Sequence, residues 1–197
     1  MKEDILEQLV DDWLQSRGYF TRHNLKFKPR PDHQDFDQRQ DSVPSDIDVL
    51  AVNPLIKGPE RVIVVSCKSW QAGFDVRAKI AEIEENKIRS GREVWRGFRE
   101  LVRPKWSEAF VSAIKNATGT DKFLYLTAVT SMRGDRSVWE NHPRFRTALG
   151  GNKLSIMTLS EMAEEVASGL TTTVASSMFG RTLQLLKAAG FALRKPT

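Results

Sequence analysis

Asp48, in the stretch DIDVLAV, and Lys68, in RVIVVSCKSW, are the residues whose types and settings best suit chemistry. Val62 to Val65 form a largely β-branched run that reads as a strand buried on both faces. Period 2 puts Val62, Val64, Ser66 and Lys68 on one side, and Ile63, Val65 and Cys67 on the other. A lysine at the end of such a strand must leave the core, find a partner or do chemistry. Asp46 and Asp48 share a side of the preceding strand with Leu50, so pairing of the two strands puts Asp48 beside Ser66 and Lys68. A carboxylate there can bind a hard divalent cation through oxygen. The neighbouring ammonium would meet a phosphate, and metal plus ammonium is the charge that phosphodiester hydrolysis requires. Asp46 itself reads as a strand-entry turn residue.

The elements that must position these residues follow from periodicity. Ile5, Leu6, Leu9, Val10, Trp13 and Leu14 recur at helical spacing, predicting an amphipathic helix over 3–16 that Gly18 stops. YFTRHNLKFK (19–28) reads as a first strand, and the polar, proline-bearing 29–45 as a long loop. DIDVLAV (46–52) and residues 61–69 are the second and third strands, followed by a helix over 76–88. SGRE at 90–93 has the form of a capping box, opening a further helix that Pro104 ends. A short helix over 107–119, a fourth strand over 122–130, a helical stretch near 136–148 and a strand near 153–159 come next. Helices at 160–168 and about 173–193 close the chain. Short links make the first three strands antiparallel, and a helical crossover makes the fourth parallel to one of them. The expected class is α/β, a mixed central sheet flanked by helices with a helical C-terminal extension. Residues 1–135 would be the core and 136–197 the extension, packed on the same domain.

A chain of 197 residues with 40% hydrophobic content supports one sizeable core, and five Trp exclude a disordered composition. Thirty basic against 25 acidic residues give a net charge of +5, which allows a polyanionic partner. Cys67 is the only cysteine, which excludes an intramolecular disulfide and suits a reducing compartment; it reads as a small buried hydrophobe. The acidic N-terminus lacks a signal-peptide pattern, and no stretch approaches the ~18 apolar residues of a membrane span, so a cytoplasmic location is expected. His23, His33 and His142 form no zinc spacing, and there is no Ser-His-Asp order, phosphate-cradling glycine loop or dinucleotide fingerprint.

A second chemical signal lies in RSGREVWRGFRELVRP. Arg92, Arg96, Arg99 and Arg103 fall at spacings of 4, 3 and 4, forming one stripe if the segment is helical, with Glu93 and Glu100 only flanking it. Such a stripe would track phosphates and read no sequence.

Over roughly residues 3–130, the helix with Glu7, the DIDVLAV strand, the VVSCKSW strand and the following helix and strand resemble the PD-(D/E)XK nuclease superfamily. That superfamily includes restriction endonucleases, Holliday-junction resolvases and Mrr-type enzymes. Its first helix often carries a glutamate about eleven residues before a Gly-aromatic pair; Glu7 precedes Gly18-Tyr19 by 18 − 7 = 11. Its aspartate precedes apolar residues, as Asp48 does, and its lysine closes a hydrophobic strand, as Lys68 does. Mrr-type enzymes carry a tryptophan two residues later, matching Trp70. Where the family has Glu, Asp or sometimes Gln, this chain has Ser66. Either activity is lost or the carboxylate comes from elsewhere. One branch of type II restriction enzymes has Ser-x-Lys and draws its glutamate from the following helix. Glu82 stands at the corresponding distance, thirteen residues (69–81) lying between it and Lys68.

The resemblance implies a restriction-endonuclease-like αβββαβ core, Mg²⁺ with Mn²⁺ as substitute, and DNA as partner. It implies Asp48, Glu82, Glu7 and the Cys67 backbone carbonyl as metal ligands. Lys68 would orient or activate the attacking water, and Ser66 would leave room for the carboxylate from the helix. The expected function is a metal-dependent endodeoxyribonuclease of restriction, defence or repair. The alternatives are an inactive nucleic-acid-binding module, and a subunit that assembles with copies or partners through 160–197. In that tail Met178, Phe179, Leu183, Leu186 and Phe191 offer apolar surface.

Overall fold

The computed structural model describes residues 4–191. Asp4 caps the first helix, its carboxylate accepting the Leu6 N–H at 2.9 Å, and α1 (Ile5–Ser16) buries Leu6, Val10, Trp13 and Leu14 along one stripe. Gly18, at φ +82°, turns the chain into β1 (Phe20–Phe27). The long polar stretch after β1 is tied down. Its α2 (Gln38–Asp41) ends on Asp41, a buried carboxylate that accepts from the Lys105 ammonium at 2.6 Å and the Trp106 indole at 3.0 Å. Then come β2 (Ser45–Val52), β3 (Val62–Lys68), β4 (Phe74–Asp75), α3 (Val76–Glu84), the hairpin of β5 (Ile88–Arg89) and β6 (Arg92–Glu93), α4 (Arg99–Val102), α5 (Pro104–Thr118) and β7 (Leu124–Val129). β8 (Met132–Arg133), α6 (Arg136–Glu140), α7 (Pro143–Ala148), β9 (Lys153–Thr158), α8 (Leu159–Gly169) and α9 (Met178–Ala188) complete the order.

The main sheet runs β1-β2-β3-β7-β9. The first three strands pair antiparallel, as their short links predict, and β3–β7 and β7–β9 are parallel. The class is therefore mixed α/β, with helices on both faces of a five-stranded sheet. On one face Leu50, Val62, Val64, Tyr125 and Ile156 pack with an aromatic cluster of Phe74, Phe98, Trp139 and Phe145, whose successive rings meet edge to face. On the other, Val49, Ile63, Val65, Cys67 and Leu126 pack against apolar residues of α1, α8 and α9. Each fully buried large side chain contributes roughly 1.5–3 kcal/mol by leaving water. Among the described residues no helix is long and apolar enough to cross a membrane.

The segment 90–103 departs from the sequence expectation. Ser90 and Gly91 sit at φ +48° and +74°, the positive angles of a two-residue hairpin turn between the paired Arg89 and Arg92, so SGRE is no capping box. Residues 94–98 form a 3₁₀ turn, and the only α-helical part is the four-residue α4. Pro104 does not end a helix; it opens α5 at the first helical position, where its missing N–H costs nothing. The helix over 76–88 stops at Glu84, because Asn86 turns to φ +51° and the Lys87 N–H returns to the Glu82 carbonyl at 2.9 Å. In the C-terminal tail, Leu183 is buried and Phe179 packs beside it against the α1 side of the sheet. Those two are taken from the expected assembly surface, leaving Met178, Leu186 and Phe191 exposed. The expected helix limit at 193 lies outside the described residues.

Candidate functional site

β2 and β3 hold register from Val52↔Val62 to Val49↔Val65 and then part. Asp48 and Ser66 would be the next pair. Instead, Asp48 Oδ2 accepts the backbone N–H of Cys67 at 2.6 Å. On its other side the β1–β2 ladder skips the Asn24–Asp48 position, where Asn24 sits at φ +53°. Ile47 and Leu50 pack on one face and Val49 and Ala51 on the other, so strand alternation slips at Asp48. The result is a half-buried carboxylate where two central strands splay. Burial raises the Asp48 pKa, opposed by the Lys68 charge and the Cys67 N–H.

Lys68 leaves the core only partly. Its Nζ donates to Ser66 Oγ at 2.9 Å and lies 5.1 Å from the centroid of the Phe98 ring. The end of α1 comes to the same place because Ser69 donates to Asp4 Oδ2 at 2.7 Å, tying the helix cap to the residue after Lys68. Glu7, one turn along α1, has its carboxyl pushed up to about 7, by burial first and then by the negative charges of Asp48 and Asp4. Cys67 is buried on the α1 face as expected of a small hydrophobe, and burial pushes its thiol well above the ordinary range. Asp46 is held at the strand entry by Lys26 at 2.6 Å.

Thus Asp48, Ser66, Lys68 and Glu7 converge, whereas Glu82 does not join them. The two Glu82 oxygens are engaged by Lys79 and by Arg89, each at 2.7 Å, and the Lys79 hydrogen bond leads the interactions that hold its carboxyl below the usual range. The physical reason is helical aim: with Val76, Ile80 and Ile83 buried, Glu82 faces the β5–β6 hairpin. The thirteen-residue spacing fixes only how far along the chain Glu82 lies from Lys68; the helical period sets its direction. Among the described residues no three His, Cys, Asp or Glu side chains lie close enough to hold one ion. The donors that suit a hard cation here are Asp48 and Glu7, and the crowding of acids around Glu7 is what a bound cation would relieve.

Sequence reasoning missed a third carboxylate. Glu100 of α4 is buried at 6% exposure, and its Oε1 accepts the Tyr125 hydroxyl at 2.5 Å. Burial raises its pKa, and the charge of Lys68 is the largest influence opposing that. The signal was its place among the apolar residues Phe98, Leu101 and Val102.

The arginines do not form a helical stripe, since no helix spans them. The fold still gathers three of the four. A groove of about 970 Å³ is lined by Arg92, Arg96 and Arg99, joined by Lys79, Arg89 and Trp70, with Glu93 its one lining carboxylate. Arg103 lies outside that groove, its guanidinium 4.2 Å from the centroid of the Trp95 ring. The groove abuts the strand end, because the Trp70 ring lies 6.0 Å from that of Phe98, on which the Lys68 ammonium sits. A second basic hollow, of about 500 Å³, is lined by Lys26, Lys28, Arg30 and Lys105, three of them paired with Asp46, Asp32 and Asp41; in the groove Lys79 and Arg89 share Glu82, and Arg96 pairs with Glu93 at 2.8 Å.

No protein-family model, curated protein or solved structure matches the chain.

Proposed function

We propose that this protein is a divalent-cation-dependent nuclease of the PD-(D/E)XK kind, cutting DNA where β2 and β3 splay. The observation that carries the reading is Asp48 and Lys68 meeting at one strand end, beside a groove with five lining cations and one carboxylate. Asp48 and Glu7 would hold Mg²⁺, or Mn²⁺ in its place. When bound, such a cation supplies positive charge for the developing phosphorane and lowers the pKa of a coordinated water. Lys68 contributes a fixed ammonium beside the scissile phosphate, and the groove arginines hold the backbone through its phosphates without reading bases. Glu82 has no part in the ligand set in this reading.

The experiment is cleavage of supercoiled plasmid in Mg²⁺, with a chelator control. Asp48→Asn and Lys68→Met should each lower the rate by at least about 10²-fold while circular dichroism and DNA affinity are kept. A second reading, a DNA-binding module without catalysis, draws on the same groove. It predicts salt-sensitive DNA retention and no cutting by wild type.

A further inference from the structure

We propose that Glu100 is a positioning residue for Lys68, acting through Tyr125 and Ser66; this rests on the nuclease reading of the same strand end. The side chains line up on one side of the sheet. Lys68 Nζ donates to Ser66 Oγ at 2.9 Å and Tyr125 donates to Glu100 Oε1 at 2.5 Å; Ser66 and Tyr125 are neighbours across β3 and β7, and the relay requires the serine proton to turn to the tyrosine oxygen. Each hydroxyl has one proton to give, so a group that accepts from behind must donate ahead. Glu100 Oε1 accepts the Tyr125 proton at the far end, which fixes the polarity of the whole chain. Water does not reach the inner end, where Tyr125 is fully buried and Glu100 is 6% exposed, whereas Ser66 and Lys68 are half-buried.

The topology explains how the link forms. β3 and β7 are parallel with Val64 opposite Tyr125, so Tyr125 lies on the Ser66 side, one pleat repeat behind it. The segment from Phe98 to Glu100 then supports the lysine twice, with the Phe98 ring beside the ammonium and the Glu100 carboxylate at the end of the relay. Serine at 66 is therefore a link. A strand carboxylate there would pair with Lys68 directly, whereas the serine passes the same anchoring inward to a buried acid.

The test uses full-length protein with ¹⁵N-labelled lysine and the variants Tyr125→Phe and Glu100→Gln. Phenylalanine removes only the linking hydroxyl; glutamine keeps the shape and an acceptor but loses the charge and can also donate, so the polarity is no longer fixed. The Lys68 ammonium resonance is identified by its loss in Lys68→Met. It should be protected in wild type and lost to solvent exchange in both variants. In plasmid cleavage kcat should fall about 10–100-fold with KM and DNA affinity unchanged. A merely structural Glu100 would lower the melting temperature and DNA affinity and spare the resonance and kcat of the folded protein. A folded variant of either kind that keeps the resonance or the wild-type kcat overturns the proposal. If wild type does not cut at all, the nuclease reading fails, and the resonance alone still decides whether Glu100 orders Lys68.

Discussion

Replacing Glu82 by glutamine separates what sequence spacing suggests from what the fold does. Its side chain is 12% exposed, as is 16% of Lys79, whereas Arg89 is 63% exposed. The Arg89 pair is solvated and worth no more than about 1 kcal/mol. The Lys79 contact is a sheltered, charge-assisted hydrogen bond worth roughly 1.5–3 kcal/mol, part of which the glutamine carbonyl and the Trp70 ring, 4.4 Å from Lys79 Nζ, retain. The expected loss is about 2 kcal/mol. For a chain of this length that is a melting-temperature fall of about 4–8 °C by calorimetry. At the same time Lys79 and Arg89 are freed into the groove. DNA affinity should rise, and its salt slope should steepen by up to about 0.9 for each cation that gains a phosphate. Mg²⁺-dependent cleavage should persist at or above the wild-type rate. A folded Glu82→Gln protein that binds DNA yet has lost cleavage and Mn²⁺ affinity would refute this reasoning and restore Glu82 as a ligand.

The same contacts set further outcomes. Glu7 has its folded pKa raised to about 7 from 4.5, so the native state holds its proton over a range where the unfolded chain has lost it. Stability should therefore fall as pH rises from about 4.5 to about 7 and level off above, and Glu7→Gln should flatten that slope in chelator; Mn²⁺, by favouring the carboxylate, should flatten it in wild type. Thermal melts across pH check both. Arg89→Glu and Arg92→Glu, exposed residues of the groove, should weaken binding to all DNA sequences alike and lower the salt slope by about 0.9 per lost contact, while Arg103→Glu changes both less. Gly73 sits at φ +76°, and a Cβ there would come 2.5 Å from Ser131 Oγ, so Gly73→Ala should lower stability by about 1–2 kcal/mol and loosen the β4–β8 pairing, read by calorimetry and amide exchange.

How far the sequence carried the site depended on which physical rule governed each segment. The β2 and β3 strands announce themselves by apolar residues on both faces, so Asp48 and Lys68 could be found where those runs end. The αβββ order and its antiparallel links come from the same patterns. Residues 90–103 were opaque for a definite reason. Ser90 and Glu93 match a capping box in spacing, yet the Ser-Gly step at positive φ makes a hairpin, and the two readings share the same four letters. Pro104 is equally two-sided, able to stop a helix on its N-terminal side or to start one on its C-terminal side, and here it starts α5. With that segment taken as one helix, Glu100 fell beside the arginines; the fold turns it inward onto Tyr125, a contact 25 residues away in sequence that no local periodicity encodes. Glu82 stands at the expected sequence distance from Lys68, while the buried stripe of α3 turns its carboxylate toward Lys79 and Arg89.

Anomalous scattering from Mn²⁺ in crystals of the wild-type protein tests most directly whether the splayed end of β2 and β3 holds a catalytic cation. The predicted result is a peak shared by the Asp48 and Glu7 carboxylates that disappears in Asp48→Asn crystals. A peak at Glu82, or none at Asp48 under conditions where the protein cuts DNA, would contradict it.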